Sequence, residues 1–301
     1  MNKEIKLGLI GLDTSHVEGF ARAFNDADNP RRFEGARIVT GFPGGSPDFA
    51  KSADRVAGYT EKLSEQFGVR IVDSPEAVAE SCDAILLTSV DGRVHFEQFS
   101  KIAAFGKPVF IDKPFAVTSE DARKIVALGE THGVPLMSSS PLRFATELTS
   151  ALNDREAGAI TGADFIGPMA IEPTQPGFFW YGVHTAEALF QVMGRGCREV
   201  FVMTSDPVDV AVGLWPDGRM GTIRGYRGEN YFFRATLHRT DGVSLLDLDA
   251  GEPTKHFSLT AAILEFFRTG NSPIPPSESA EIVRFLEAAN ESRATGQRVT
   301  L

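Results

Sequence analysis

The strongest constraint on the fold is the regular alternation of apolar strands with helical segments through the first 140 residues. Between the strands, apolar side chains recur at helical spacing, as at Val17, Phe20, Ala21 and Phe24. The strand near residues 84–88 is almost wholly apolar, which is typical of parallel strands buried on both faces. The six predicted strands are residues 5–10, 36–40, 69–72, 84–88, 109–111 and 134–137. This order predicts an α/β fold with a Rossmann-like doubly wound parallel sheet and right-handed crossovers.

The pattern changes near residue 140, where we place a domain boundary without a flexible linker. Residues 1–140 are predicted to form a dinucleotide-binding domain, and residues 141–301 an α+β domain for substrate binding and oligomerisation. Strand patterns dominate residues 198–248 and are separated by turn signals such as Pro216-Asp217-Gly218, which predicts an antiparallel meander. Helices are predicted near residues 145–152, 183–193, 259–268 and 279–295.

Composition narrows the classes of function. A net charge of −10 argues against nucleic acid as a partner. The two cysteines, Cys82 and Cys197, lie far apart and form neither a disulfide framework nor a zinc signature. The first apolar run is too short for a signal-peptide core, and no run is long enough to span a bilayer. We therefore expect a reduced, cytoplasmic setting without a membrane partner.

The turn after the first strand is an altered dinucleotide-binding sequence. In a G-x-G-x-x-G turn, Gly11 takes the first glycine position, whereas Asp13 and His16 stand at the second and third. A carboxylate about 5 Å from a phosphate charge costs roughly 3 kcal/mol at an effective dielectric constant near 20. Amides at the helix start and the hydroxyls of Thr14 and Ser15 offset part of that cost. We predict that Gly11, Asp13, Thr14 and Ser15 bind the cofactor.

A structural alternative exists for this turn. Residues 15–18 have the S-x-x-E form of a capping box, and Asp13 suits the positive end of a helix dipole. The end of the second strand does not decide between NAD and NADP. The loop at residues 40–48 has no acid directly at the strand end and no adjacent arginine. The expected cofactor is NAD or NADP, with NAD slightly favoured.

The strand at residues 109–111 ends in Asp112-Lys113-Pro114. Open α/β sheets bind ligands at the carboxyl ends of their strands, and proline after the lysine stops the strand. The alternative is an ordinary strand end with a solvated lysine.

Together these features resemble the glucose–fructose oxidoreductase / inositol dehydrogenase / MocA family over nearly the whole chain. Asp112-Lys113-Pro114 is similar to the E-K-P motif of that family. The other matching positions are Thr88, His95, Gly106-Lys107-Pro108-Val109, Arg143-Phe144, the G-x-H-x-x-D-like stretch at residues 181–187 with Glu187 for the acid, and residues 289–299.

The resemblance implies a Rossmann domain followed by an open-faced, mostly antiparallel sheet through which subunits associate as a homo-oligomer. It implies hydride transfer between a nicotinamide and a hydroxyl or keto carbon of a sugar, sugar acid or cyclitol. Lys113 would hold the substrate oxygen, and His184 would be the general acid/base. Asp112 would contact the cofactor's ribose region, and Thr88 and Ser89 would line the cofactor cleft.

Some positions depart from the family pattern. Trp180 stands four residues before His184, where the family often has an acid. A catalytically reduced binding or regulatory protein, or an enzyme using tightly bound NAD without net redox, therefore remains an alternative. Arg143 and Tyr181 are candidate substrate contacts, against the alternative of domain packing. No histidine spacing indicates a metal site, and none is expected.

Overall fold

The computed structural model describes residues 4–228 and 231–301, and the chain forms two compact units. The first unit runs to Ala116 and also contains Glu120–Ser138 and Thr260–Pro276. The second unit contains Val117–Ser119, Ser139–Leu259 and Ser277–Leu301. Each unit is built around one sheet.

The sheet of the first unit has six parallel strands in the order β3-β2-β1-β4-β5-β6. The predicted doubly wound fold is thereby confirmed. The strands are β1 (Ile5–Ile10), β2 (Ala36–Phe42), β3 (Arg70–Ile71), β4 (Ala84–Leu87), β5 (Val109–Asp112) and β6 (Leu136–Ser139). The helices are α1 (Ser15–Phe24), α2 (Ala50–Phe67), α3 (Pro75–Ser81), α4 (His95–Ile102) and α5 (Ser119–His132).

Strands β1 and β4 are neighbours at the point where the strand order reverses. Ligands of open α/β sheets bind in the crevice outside the carboxyl ends of the strands at such a switch point. The side chains of Leu7, Leu9 and Leu86 are completely buried there. A rigid apolar centre therefore carries the loops that follow β1 and β4.

Helix α2 is not predicted from the sequence. Only Ser52, Leu63 and Phe67 are buried in its 18 residues, so the apolar periodicity is weak. A helix with so narrow a buried stripe gives little pattern to recognise.

The second unit contains a seven-stranded sheet in the order β12-β11-β7-β10-β9-β8-β13. Its strands are β7 (Ile160–Pro168), β8 (Glu199–Ser205), β9 (Val208–Leu214), β10 (Met220–Tyr226), β11 (Arg234–Arg239), β12 (Gly242–Asp247) and β13 (Val299–Thr300). The remaining helices of the chain are α6 (Thr146–Asn153), α7 (Gly182–Met193), α8 (Lys255–Thr269) and α9 (Pro276–Thr295). The mostly antiparallel character of the sheet is confirmed.

The prediction of an antiparallel meander over residues 198–248 is wrong at one place. Strand β7 lies between β10 and β11 and pairs with β10 in the parallel direction. Turn signals reveal which consecutive strands form hairpins, but they carry no information about a strand inserted from earlier in the chain.

Helix α7 covers one face of this sheet. A Cβ atom on Gly221 would lie 2.7 Å from Leu189 Cδ1, so the glycine permits close approach of the helix. On the other face, large apolar side chains are exposed, among them Met203, Met220 and Leu245. No helix within the described ranges is both long and apolar enough to cross a membrane.

Candidate functional site

The carboxylate of Asp13 is turned into the first unit. Its Oδ2 accepts a hydrogen bond from Ser52 Oγ at 2.6 Å, and its Oδ1 accepts one from Val90 N at 2.9 Å. Burial raises the pKa of Asp13, and these two donors partly oppose that rise. Because Asp13 is completely buried, its oxygens are absent from the surface of the turn. The aspartate is thus compatible with the fold at a position where glycine is expected.

The predicted cofactor residues of β1 and β4 meet at the switch point. Gly11 has φ +86°, and a Cβ there would lie 2.1 Å from Ser89 Oγ, so only glycine fits. Thr88 Oγ1 donates to the carbonyl oxygen of Gly11 at 2.8 Å. Ser89 Oγ donates to Gln98 Oε1 at 2.7 Å.

Thr14, rather than Ser15, is the N-cap of helix α1. Thr14 is extended, and its hydroxyl accepts a hydrogen bond from His16 N. The capping-box interpretation with Ser15 as the cap is therefore wrong, and Glu18 instead forms ion pairs with Arg22 and Lys62. The ten-residue helix begins directly after the turn, as an anion-binding helix start does.

His16 reaches across the switch point to the end of β5. Its Nδ1 lies 2.5 Å from Asp112 Oδ2, and Asp112 Oδ1 accepts a hydrogen bond from Lys113 N at 2.8 Å. Burial raises the pKa of Asp112, but the charge and hydrogen bond of His16, together with Lys113, outweigh burial and lower it to about 2. The pairing is not predicted from the sequence, although both residues follow strands that end at the same sheet edge.

Lys113 is half-buried beside this pair. Burial lowers its pKa, and the neighbouring Asp112 partly opposes that effect. An ammonium of this kind loses its proton more readily than a solvated lysine does. A role of Lys113 in the site stays a prediction.

The loop after β2 contains an orphaned polar atom. Ser46 is 5% exposed, and its Oγ has no hydrogen-bond partner among residues 4–228 and 231–301. Near it, Asp48 binds Arg93 through two hydrogen bonds of 2.8 and 2.9 Å, and Arg93 also binds Asp91. No arginine is adjacent to this loop in the sequence, but the structure brings one to it.

In the second unit, His184 lies near the start of α7. Its Nδ1 is 2.7 Å from Ser140 Oγ, which also accepts a hydrogen bond from Leu142 N at 3.1 Å. The rings of Tyr181 and Phe233 lie 5.5 and 5.8 Å from the imidazole. Ser140 is not predicted from the sequence, since nothing in its local pattern links it to α7.

Arg143 lies in a buried ion-pair cluster of the same unit. Its Nη1 is 3.1 Å from Glu187 Oε2, and its Nη2 binds Glu278. Burial raises the pKa of Glu187 to about 7, with Arg143 lowering it and Glu278 raising it. Two carboxylates already bind the guanidinium, so a substrate contact by Arg143 stays a prediction.

Tyr181 belongs to an aromatic cluster. Its ring centroid lies 5.9 Å from that of Trp180 and 5.6 Å from that of Tyr231. Trp180 is 9% exposed, whereas Tyr231 is 63% exposed. Tyr231 is therefore an additional candidate for stacking on a ligand, which the sequence pattern does not single out.

His95 contacts two backbone carbonyl oxygens within the first unit, Ser89 O at 2.8 Å and Phe115 O at 3.3 Å. It thereby supports the segments after β4 and β5. In the part of the chain that the structure describes, no three His, Cys, Asp or Glu side chains form a group that could hold a metal ion.

Residues 5–140 match the oxidoreductase family with an NAD-binding Rossmann fold. This segment contains the turn at Gly11, the residues after β4 and Asp112-Lys113-Pro114.

Residues 5–140 therefore carry the Rossmann-fold segment of this oxidoreductase family. The resemblance drawn from the sequence motifs is confirmed. In this segment the chain has an altered glycine turn, with Asp13 buried and His16 bound to Asp112.

Two curated relatives match the chain over part of its length. Inositol 2-dehydrogenase of Paracoccus denitrificans is 33% identical over 121 residues, covering 35% of this chain and 36% of that protein. Rhizopine catabolism protein MocA of Rhizobium meliloti is 29% identical over 115 residues, covering 38% and 36%. The matches span about a third of the length of these relatives.

Similarity of fold extends over the whole chain. Scyllo-inositol dehydrogenase from Lactobacillus casei, solved with NAD(H) and scyllo-inositol, superposes with a TM-score of 0.82. The superposition covers 99% of each chain at 14% sequence identity. At this identity the likeness shows the fold alone, and it does so for both units of the chain.

Proposed function

We propose that this protein is an NAD(P)-dependent oxidoreductase that transfers a hydride between nicotinamide and a hydroxyl or keto carbon of a sugar, sugar acid or cyclitol. The observation that carries the proposal is the position of Lys113, half-buried beside Asp112 at the carboxyl end of β5. It lies in the segment that matches an NAD-binding oxidoreductase family. The partial matches to inositol dehydrogenases support the choice of substrate class.

The first unit has groups that suit a dinucleotide. Buried Asp13 leaves no exposed carboxylate on the turn, so a phosphate can approach the start of α1 beside Thr14 and Ser15. The orphaned Ser46 hydroxyl suits a ribose hydroxyl. Gly11, Thr88 and Ser89 shape the turn between these two sites. When bound, the nicotinamide supplies the hydride acceptor or donor.

The residues of the chain would handle the substrate oxygen and its proton. We assign Lys113 to the developing alkoxide, because a nearby ammonium stabilises negative charge on oxygen. His184 is assigned as the general acid/base, since its unperturbed pKa range suits proton exchange near neutral pH. Tyr181 and Arg143 remain the proposed substrate contacts. Asp112 is proposed to act near the cofactor ribose while it holds His16.

Calorimetric titration with NAD⁺, NADH, NADP⁺ and NADPH tests the cofactor assignment, after denaturing release of any bound nucleotide. We expect binding at micromolar strength or better, with NAD⁺ preferred. Polyols and cyclitols are then screened for net formation of reduced nicotinamide. Absence of both binding and released nucleotide would exclude the oxidoreductase.

One observation favours a second candidate, a ligand-binding protein that has lost catalysis. The buried Trp180 stands where the resemblance leads us to expect an acid, so His184 has no carboxylate four residues before it. This candidate predicts sugar binding without turnover. A bound nicotinamide that co-purifies but never accumulates in reduced form would instead indicate a reaction without net redox.

We also propose that the protein is a cytoplasmic homo-oligomer. The exposed apolar side chains Met203, Met220 and Leu245 on the sheet of the second unit are the proposed subunit contact. Both cysteines are free and buried, as suits a reducing compartment. Light scattering of wild type and of Leu245→Glu would test the association, which the charged variant should weaken.

A further inference from the structure

Ser140 presents a neutral hydroxyl to His184. We propose that Ser140 is a positioning residue for His184: its Oγ accepts the Nδ1 hydrogen, which makes Nε2 the nitrogen that exchanges the substrate proton. The observation behind it is the 2.7 Å separation of Ser140 Oγ and His184 Nδ1. The inference rests on the proposed acid/base role of His184 and adds a residue that neither motif nor relative assigns.

Ser140 is held in place by several contacts. It is completely buried, and its Oγ accepts the Leu142 amide at 3.1 Å. Its backbone amide donates to Glu187. His184 and Glu187 are three residues apart on α7 and therefore lie on the same helix face. Helix α7 thus binds Ser140 through its side chain and through its backbone, which restricts rotation of the hydroxyl away from the imidazole.

The ion-pair cluster supports this arrangement from behind. Arg143, which directly follows Leu142, binds Glu187 on α7 and Glu278 on α9. One guanidinium faces two carboxylates, and both Arg143 and Glu187 are almost fully buried. The cluster fixes the turn at residues 141–144 against both helices. Ser140 precedes this turn directly, so its position is determined by the cluster as well.

The chemistry of proton exchange requires one particular tautomer. During oxidation of the alcohol, its O–H bond breaks and an Nε2–H bond forms. The electron pair of the O–H bond stays on oxygen and becomes the carbonyl bond as the hydride leaves to the nicotinamide oxidant. Neutral imidazole has a lone pair on Nε2 only when Nδ1 carries the hydrogen. An acceptor at Nδ1 therefore selects the reactive form, and an uncharged acceptor does so without adding negative charge beside a developing alkoxide.

The test compares Ser140→Ala with the matched control Ser138→Ala. Ser138 is also buried, and its Oγ has no hydrogen-bond partner in the described part of the chain. Nitrogen-15 NMR of the His184 ring, assigned by its loss in His184→Asn, reports which nitrogen carries the hydrogen. We expect protonated Nδ1 in wild type and in Ser138→Ala, and a shift toward protonated Nε2 in Ser140→Ala.

Kinetics provide the second readout. In Ser140→Ala we expect kcat to fall by about tenfold to a hundredfold while KM changes much less, since acid–base catalysis contributes about 10²- to 10⁴-fold in total. An unchanged tautomer, or an unchanged kcat in an active and folded variant, would overturn the inference. A wild-type protein that never reduces a nicotinamide would overturn the proposed function and the catalytic half of the inference with it. The tautomer measurement separates the two failures.

Discussion

Two buried carboxylates, one in each unit, have pKa values shifted in opposite directions. Asp112 in the first unit has its pKa lowered to about 2, whereas Glu187 in the second has its pKa raised to about 7. Burial raises both values. Asp112 is one carboxylate facing two cationic groups, His16 and Lys113, while Glu187 shares the single guanidinium of Arg143 with Glu278. Because burial acts on both carboxylates in the same direction, the balance of charge within each cluster decides the direction of the net pKa shift.

The same difference separates the two histidines. His16 contacts a carboxylate, and His184 contacts a hydroxyl. A carboxylate partner can form a charge-assisted hydrogen bond with the ring, whereas a hydroxyl orients the ring through a neutral hydrogen bond. We infer that the first pair is suited to holding charge near a cofactor and the second to exchanging a proton. Variants in each cluster test this contrast.

Replacing Lys113 in the first unit should lower kcat more than any other substitution considered. Lys113→Met is expected to lower kcat by about a thousandfold or more, because the developing alkoxide loses its cation. The fold should persist, since methionine suits a desolvated site. Lys101→Met is the control, because Lys101 is solvent-exposed on α4 and pairs with Glu97. Steady-state kinetics and circular dichroism check both variants, and retained turnover in Lys113→Met would exclude Lys113 from the mechanism.

Glu187 should make the free energy of unfolding depend on pH. Its folded pKa of about 7 lies above the ordinary 4.5, so the folded state binds more protons between these values. The stability it contributes is present below pH 4.5 and is lost as the pH rises through 7, by about 3 kcal/mol in total. Urea unfolding from pH 4.5 to 8 should show this loss in wild type and a flatter profile in Glu187→Gln. The exposed Glu265→Gln should retain the wild-type slope.

The contribution of Asp112 to the free energy of unfolding should change with pH in the opposite direction. Its folded pKa of about 2 lies below the ordinary 3.8, so its contribution is present above pH 4 and is lost as the pH falls through 2. The loss is about 2 kcal/mol. His16→Asn removes the charge that contributes most to lowering the pKa of Asp112. It should therefore reduce the loss of stability between pH 4 and pH 2, whereas the exposed His132→Asn should not. An equal loss of stability at acid pH in wild type, His16→Asn and His132→Asn would contradict the contrast between the two carboxylates.

The smallest effect is expected at the aromatic cluster. Tyr181→Ala should raise KM about tenfold, or about 1.4 kcal/mol, because a stacking surface beside His184 is lost. Tyr181→Phe retains the ring and should stay within about threefold of wild type. Kinetics on the best cyclitol substrate decide the matter, and equal KM values for wild type and Tyr181→Ala would remove Tyr181 from the substrate site.

Local patterns predicted much of the fold but not all of its pairings. The buried strands of the first unit are short, apolar and regularly spaced, so their parallel arrangement follows from chain order. Helix α2 was not predicted because few of its residues are buried. The position of β7 in the sheet was not predicted because a strand inserted from earlier in the chain leaves no turn signal. Motif positions likewise pointed to Lys113 and His184, whose proposed roles await the experiments above.

The alternation of elements, the family resemblance and the charged side chains at strand ends can all be read from the sequence. Those properties depend on residue type and on spacing along the chain. The partner of each buried polar group follows from tertiary packing instead: Asp13 contacts Ser52 and Val90, His16 contacts Asp112, and Ser140 contacts His184. These partners lie between 39 and 96 positions apart in the sequence, so folding alone brings them into contact. Because a buried polar group must find a partner wherever the packing allows one, its partner depends on the fold and not on the neighbouring sequence.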